Sequence, residues 1–394
     1  SISNLKIRVS YGITGSQAVS PYASLATLNT TRPYALGNGL TVSNGVGLGR
    51  IENPSLRWEQ TAQLNIGTDL GLLKDRILLN VDYYNKLTTD LLMNVPMPMM
   101  SGYTSSLQNI GSVENKGFEF NLGGDPFIGE LSWNTAFNIA FNKNKVKELS
   151  GPSEIAMGGT GFPDMGNTVY LIVGQPIGIL KGYIQNGIWG TDEAETAASY
   201  GTIPGAPKYV DQNNDGKITV EDITIMGSTL PKFTYGWNNT LSYKNFDLNI
   251  FIQGSKGNKV FNLTRIRSER SSSDADAGSR RILNRWTPDN QDTDVPSFEG
   301  SRGYEQLQSS RWLEDGSYLR IKTITLGYNL PTALLSKIKI SSARLFVSGV
   351  NLFTFTQYSG YDPEASTDVG VFGGIDMAPY PSQKSITTGI NVKF

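Results

Sequence analysis

Alternation at a period of two, repeated in segment after segment, constrains this chain more than any other feature of it. The last segment shows the pattern plainly. Ile386, Thr388, Ile390, Val392 and Phe394 fall on one face, and Ser385, Thr387, Gly389, Asn391 and Lys393 on the other. Successive side chains of a strand point to opposite sides, so this is a strand with one apolar and one polar wall. Alone, it fits a soluble sandwich or a membrane-spanning sheet.

The same unit recurs along the chain. Leu5 to Tyr11 alternates, and Leu64, Ile66, Thr68 and Leu70 lead through a turn at Lys74-Asp75 to Ile77, Leu79, Val81 and Tyr83. Phe118, Phe120 and Leu122 reach a predicted turn at Gly123 to Pro126, and Trp133, Thr135, Phe137, Ile139 and Phe141 return. Phe233, Tyr235, Trp237, Asn239 and Leu241 descend to Lys244-Asn245, and Phe246, Leu248, Ile250 and Ile252 climb away. Leu319, Ile321, Ile324, Leu326 and Tyr328 slip phase near Lys322-Thr323, which predicts a bulge. After a turn near Pro331, Ala343, Leu345 and Val347 form the penultimate strand. That makes about ten strands. Short turns alternate with long loops, at 13–57, 93–112, 146–231, 254–316 and 354–384. Outer-membrane barrels have this asymmetry, with short periplasmic turns and long extracellular loops. A strand of about ten residues tilted near 45° spans ~23 Å, close to the apolar band such barrels need. A β-propeller would give four short strands per blade and no such asymmetry. The terminal strand, ending on Phe394, also resembles the carboxy-terminal signal of outer-membrane barrels.

Composition narrows the chemistry. Cys and His are both absent, which excludes disulfides, thiolate or imidazole zinc sites and any Ser-His-Asp or Cys-His pair. A net charge of −1 gives no basic field for nucleic acid. No run of eighteen apolar residues would span a bilayer as a helix, but alternating barrel strands need none. The start at Ser1, almost directly on a strand and without Met or signal peptide, is read as that of a cut chain.

Several segments together resemble the carboxy-terminal part of SusC/RagA-type TonB-dependent outer-membrane transporters. They are Leu5 to Gly15, Asn53 to Glu59, Val81 to Lys86, Asn109 to Glu119, Gly316 to Lys322, Asn351 to Thr354 and Tyr358 to Glu364. The resemblance implies about ten carboxy-terminal strands of a 22-strand antiparallel transmembrane β-barrel, occupying residues 1–394. It also implies a plug domain and a TonB box, neither of which can be placed in these residues. Partners implied are a SusD-like lipoprotein lid over the long loops, the TonB complex and outer-membrane lipid. The implied activity is import of a glycan or oligopeptide across the Gram-negative outer membrane, by a transporter and not an enzyme.

One local motif carries its own mechanism. In Asp211 to Asp222, oxygen side chains fall at loop positions 1, 3, 5, 9 and 12, with Gly216 at position 6. That spacing wraps a twelve-residue loop around a hard cation, and an all-oxygen flexible loop fits Ca²⁺ better than Mg²⁺. The expected ligands are Asp211, Asn213, Asp215, the Lys217 carbonyl, Thr219 and Asp222, with a structural role. Position 12 is Asp, as in dockerin-type loops, and a plain polar turn is the alternative.

Among the outer loops, Trp189, Tyr200, Tyr304, Tyr358, Tyr361 and Tyr380 are candidates to stack on a substrate, against loop packing or interface anchoring. Arg265, Arg267, Arg270, Arg280, Arg281 and Arg285 face either an anion, such as substrate or lipopolysaccharide, or structural partners among Glu269, Asp274 and Asp276. The carboxylate pairs Asp274/Asp276 and Glu221/Asp222 are read as solvated loop rather than acid–base machinery. Two rivals to the importer remain at this point. One is a complete small barrel serving as anchor or adhesin, the other a glycan-degrading surface enzyme using loop carboxylates.

Overall fold

The computed structural model describes residues 2–17, 19–36, 41–159, 167–269, 278–300, 307–335, 340–364 and 373–394. Ten long strands form one antiparallel sheet in chain order. They are β1 (Ile2–Ser16), β2 (Glu59–Leu72), β3 (Ile77–Thr89), β4 (Ser112–Phe127), β5 (Leu131–Glu148), β6 (Phe233–Tyr243), β7 (Phe246–Lys256), β8 (Tyr318–Asn329), β9 (Ser342–Thr356) and β10 (Ser385–Lys393). β1 and β10 are its edges and do not pair with each other among the described residues. Ile2 sits opposite Leu72 and Lys393 opposite Ser342, so both chain ends lie at the rim of the short turns.

The register bears out the alternation. Trp237 opposes Ile252, Leu241 opposes Leu248, and Leu248 opposes Leu326 on one wall. On the other wall Thr240 faces Asn249, whose amide donates to Asn238 Oδ1 and Thr240 Oγ1 at 3.0 Å each. The predicted slip near Lys322 is present, with register shifts against both neighbours of β8. At the turns, Leu73, Lys74, Asp75 and Lys244 adopt positive φ.

One turn was misplaced. Gly123 to Pro126 continues β4, and the chain reverses at residues 128–130. The Arg76 carbonyl of the neighbouring hairpin takes the Asp125 amide, and a Cβ on Gly124 would stand 2.1 Å from that oxygen. Glycine is needed there for close strand approach, and Pro126 falls where the register shifts and no ladder donor is required.

The two walls meet different surroundings. Ile7, Val9 and Ile386 on the apolar wall are 69%, 69% and 73% exposed to solvent-sized probes, the surface that lipid covers. A belt of ring contacts runs around that wall through Phe118, Phe120, Phe141, Phe233 and Tyr235. Asn239 and Thr135 also sit on the apolar wall, and they are satisfied locally. Asn239 Oδ1 accepts from Trp133 Nε1 at 3.1 Å and Thr135 Oγ1 at 2.9 Å, while Trp237 Nε1 donates to Thr135 Oγ1 at 2.9 Å.

The long loops carry an apolar core of their own. Val169, Leu180, Phe261, Leu263, Ile266, Trp312 and Ile375 form one cluster, and Ile110, Val113, Val146, Leu149, Ile155 and Leu171 another. Short strands at Glu154–Gly159, Asn167–Ile172, Ile179–Gly182 and Thr224–Ser228 make a four-stranded sheet beneath them. The reason is that loop apolar residues meet water, not lipid, and so must bury one another.

Candidate functional site

The candidate surface is the polar wall together with the loops bonded to it. Near the short-turn rim, Arg8 of β1 pairs with Asp69 of β2 (2.8 Å) and reaches across that strand to Asp82 of β3 (2.9 Å). Gly67 lies between Arg8 and Asp82 in register, and a Cβ there would meet Asp82 Oδ1 at 2.2 Å. Arg344 of β9 pairs with Asp247 of β7 across Gly327 of β8 in the same manner. Each pair spans three strands because the middle one has no side chain.

Toward the outer rim, Arg320 of β8 is the organising residue. Its side chain is 2% exposed and donates to Thr354 Oγ1 at 3.0 Å, Ser382 Oγ at 3.3 Å, Asp362 and Glu364. Gln253 Nε2 of β7 donates to Glu364 Oε1 at 2.6 Å, and Asp362 also accepts from the Ser382 amide at 2.9 Å. Burial pushes the Asp362 carboxyl up, but hydrogen bonds from Arg320 and Ser382 outweigh it and hold the group at about 2. The last outer loop is thereby clamped to the inner wall. Sequence reasoning missed this cluster, although Arg320 and Glu364 each stand in a quoted segment.

The aromatic candidates separate. Trp189 is buried beside Ala197, Ala206 and Tyr200, with Lys208 Nζ 4.5 Å from its ring centre. Tyr358 is buried and donates to Asp376. Burial, then that hydrogen bond, pushes the Tyr358 phenol upward. Neither ring offers a free face. Tyr200 packs on Trp189 and its hydroxyl donates to Asp211 at 3.3 Å. Tyr361 and Tyr380 are 81% and 93% exposed and flank the Asp362–Ser382 contact, so the clamp brings them to one part of the loop base. Tyr304 lies outside the described residues.

Arginines of the 254–316 loop are largely structural. Glu269, with a side chain 0% exposed, accepts from Arg265 (2.9 Å), Arg281 (2.8 Å) and Arg311 (3.0 Å), and Glu314 takes Arg265 at 2.9 Å. Burial raises the Glu269 carboxyl, but the arginines outweigh it and lower it. Arg311 was not among the candidates. Arg285 lies over Phe298 with its guanidinium carbon 5.6 Å from the ring centre. Arg270, Asp274 and Asp276 lie outside the described residues.

The Asp211–Asp222 loop is wrapped around its own amides. Asp211 accepts from the N–H groups of Asn214 (2.7 Å), Asp215 (3.3 Å) and Gly216 (2.8 Å), with Asn214 and Gly216 at positive φ. Burial raises the Asp211 carboxyl, and these amides outweigh it and lower it. Asp215 Oδ1 accepts from the Lys217 amide at 2.8 Å, and Asn213 Nδ2 donates to Asp215 Oδ2 at 3.2 Å. Asp222 is fully buried and accepts from the Gln212 and Thr219 amides, both at 2.7 Å. Thr219 Oγ1 accepts from the Glu221 amide at 3.3 Å. The first half of the loop is therefore a turn closed on the Asp211 carboxylate. Its twelfth residue, Asp222, reaches back to the Gln212 amide at the second position, yet no three acidic side chains converge as a ligand group among the described residues.

Comparison with known proteins places this architecture. The family profile described as TonB dependent receptor-like, beta-barrel matches residues 2–352. The chain is 37% identical over 408 residues to TonB-dependent receptor P3 of Formosa agariphila, covering 100% of this chain and 40% of that protein. It is 26% identical over 398 residues to TonB-dependent receptor SusC of Bacteroides thetaiotaomicron, covering 100% of this chain and 38% of the relative. The solved RagAB peptide transporter superposes with a TM-score of 0.81 at 26% identity, covering 100% of this chain and 41% of that one. The chain thus spans about two-fifths of the length of these relatives.

Proposed function

The chain belongs to the TonB-dependent receptor β-barrel family of the Gram-negative outer membrane, and from that premise we propose that it forms wall and mouth of an energised nutrient importer. The solute, an oligosaccharide or oligopeptide, passes along the polar wall. The observation that carries this reading is the ten-strand sheet with one lipid-type and one polar wall, the polar one carrying the clamped outer loop. A SusD-like lipoprotein closes over the outer loops, and the TonB complex supplies energy through parts of the protein beyond this sheet. The barrel makes and breaks no bond. A self-contained small barrel is disfavoured, because β1 and β10 do not join among the described residues.

Within this reading, Tyr361 and Tyr380 supply the first stacking surface for the solute. Ca²⁺ binds the 211–222 loop through Asp211, Asn213, Asp215 and the Lys217 carbonyl. Each Asp222 oxygen keeps lone-pair capacity after accepting one N–H, so a small rotation brings it in, with Thr219 closing the sphere.

The deciding experiment is deletion of the whole gene, followed by growth on defined glycans and peptides as sole carbon source. Loss of growth on one class is the expected result, with growth restored by the intact gene but not by that gene in a TonB-deficient background. Unchanged uptake of every solute tested, with the protein demonstrably present beforehand, would sink the proposal.

A further inference from the structure

The wall of the sheet is split between the outer halves of β5 and β6. β5 pairs with β6 only from Leu131 to Ala140, then continues bonded to β4 alone. At Val146 the edge is closed again by Gly174 and Gln175. A cleft of about 930 Å³ occupies this window, bounded by residues 142–145, 227–232 and 256–259.

Lys116, Lys143, Lys145, Lys232, Lys256 and Lys259 line the cleft, against two carboxylates, Glu114 and Asp315. Lys116 reaches Glu114 at 3.4 Å. Among the described residues no carboxylate comes within 4.0 Å of Lys143, Lys145, Lys232 or Lys256. Like charges gathered this closely repel unless a counter-charge joins them.

Their position says where that counter-charge comes from. The outward set of β5 passes from Ile139 and Phe141 to Lys143 and Lys145 without a slip, and that of β4 from Phe120 and Phe118 to Lys116. Lys116, Lys143 and Lys145, with Lys256 opposite Phe233, therefore stand on the lipid-facing wall, directly above the aromatic belt, where the Phe141 and Phe233 ring centres are 5.6 Å apart. Two to four residues at ~3.4 Å each, tilted about 45°, place their backbones ~5–10 Å above the belt. The polar headgroup layer occupies roughly that depth outside the hydrocarbon. Asn142 and Asn144 of the polar wall also line the cleft, but its charged groups on the barrel strands come from the lipid-facing set.

We propose that this cleft binds the phosphorylated headgroup of an outer-leaflet glycolipid, whose acyl chains lie along the apolar wall beneath it. The inference rests on the barrel's place in the membrane and not on what it imports.

The test uses the full-length protein that contains this chain, extracted in mild detergent and examined by native mass spectrometry. Lipid A carrying its phosphates, and lipid A stripped of them, are the probes. The phosphorylated form is expected to be retained and the stripped form lost. Lys143→Glu with Lys145→Glu should cut retention about tenfold, since each lysine beside an anionic lipid surface contributes several-fold in binding. Lys74→Glu, in a turn at the opposite rim, should leave retention unchanged. Heat-modifiable gel migration reports assembly, and if the double reversal does not assemble, Lys143→Gln with Lys145→Gln is read instead. Equal retention of both lipid forms, or unchanged retention by the assembled charge variants, overturns the proposal. So does displacement of the lipid by millimolar inorganic phosphate, which would mark a general anion site, or loss of a bound protein partner rather than lipid.

Discussion

The ten-strand wall and the outer loops use apolar residues in opposite ways. On β1 and β10 they stand exposed, Ile7 at 69% and Ile386 at 73%, whereas Leu180, Phe261 and Ile266 of the loops are 0% exposed. One chain meets two solvents. In hydrocarbon an outward isoleucine is already in its preferred medium, and the sheet is held by its hydrogen-bond ladder. In water the same residue type must find apolar neighbours. The burial of a residue here reports which phase it faces as much as how well it is packed.

That contrast can be broken from either side. The largest effect is expected in the loops. Phe261→Ala removes a fully buried ring from the main loop cluster and should cost about 3–5 kcal/mol of loop stability. On intact cells the outer loops should become protease-sensitive while heat-modifiable migration of the barrel stays normal. Joint loss of both would show that wall and loops are one cooperative unit. Next comes the wall, where Ile250→Arg should cost about 2–4 kcal/mol if near the midplane. Asn138→Arg, on the polar wall, should assemble normally, and an equal loss of assembled protein in both would refute the assigned register.

A smaller effect belongs to the clamp. Asp362 is held at about 2, below its unfolded value of about 3.9, so its contribution is fully present above pH ~4 and disappears as pH falls toward 2. The difference corresponds to about 2–3 kcal/mol. Hydrogen exchange in residues 357–364 and 373–384 should stay slow from pH 7 to about 4 and rise below it. Opening already between pH 7 and 5 would exclude Asp362 as the fastening group. Smallest is the cation loop, for which millimolar Ca²⁺ at an extracellular-type affinity gives about 1 kcal/mol. Asp211→Ala with Asp215→Ala should leave the barrel intact and make residues 200–230 protease-sensitive, as chelator does to the unaltered protein. Identical digestion with and without chelator leaves the polar turn alone.

The sequence made the wall legible and the loops much less so. Alternation is local, so Phe246, Leu248 and Ile250 declare their face within a few residues, and the phase slip at Lys322 declared its bulge. Gly123 to Pro126 misled because turn-type residues also serve where strands must approach closely beside a neighbouring turn. The loop cores have no period, drawing single residues such as Val169, Trp312 and Ile375 from distant segments. Arg320 and Asp362 were visible as residues, but their meeting depends on the β8–β9 hairpin setting Thr354 opposite Arg320 and on the loop just beyond β9 turning inward. Trp189 and Tyr358 looked like ligand contacts for the same reason: an aromatic in a polar loop shows its type and not its burial.

The reach of the main loop cluster also sets an order of events. Val169 and Ile375 are separated by about 200 positions, with the four strands β6 to β9 between them. Contacts that distant wait on the closing of everything between them. Hence the outer core forms last, on the far side of the membrane, and only once those strands have been threaded and paired. Its completion acts as a receipt for correct assembly, readable from outside the cell as the moment when the loops cease to be cut.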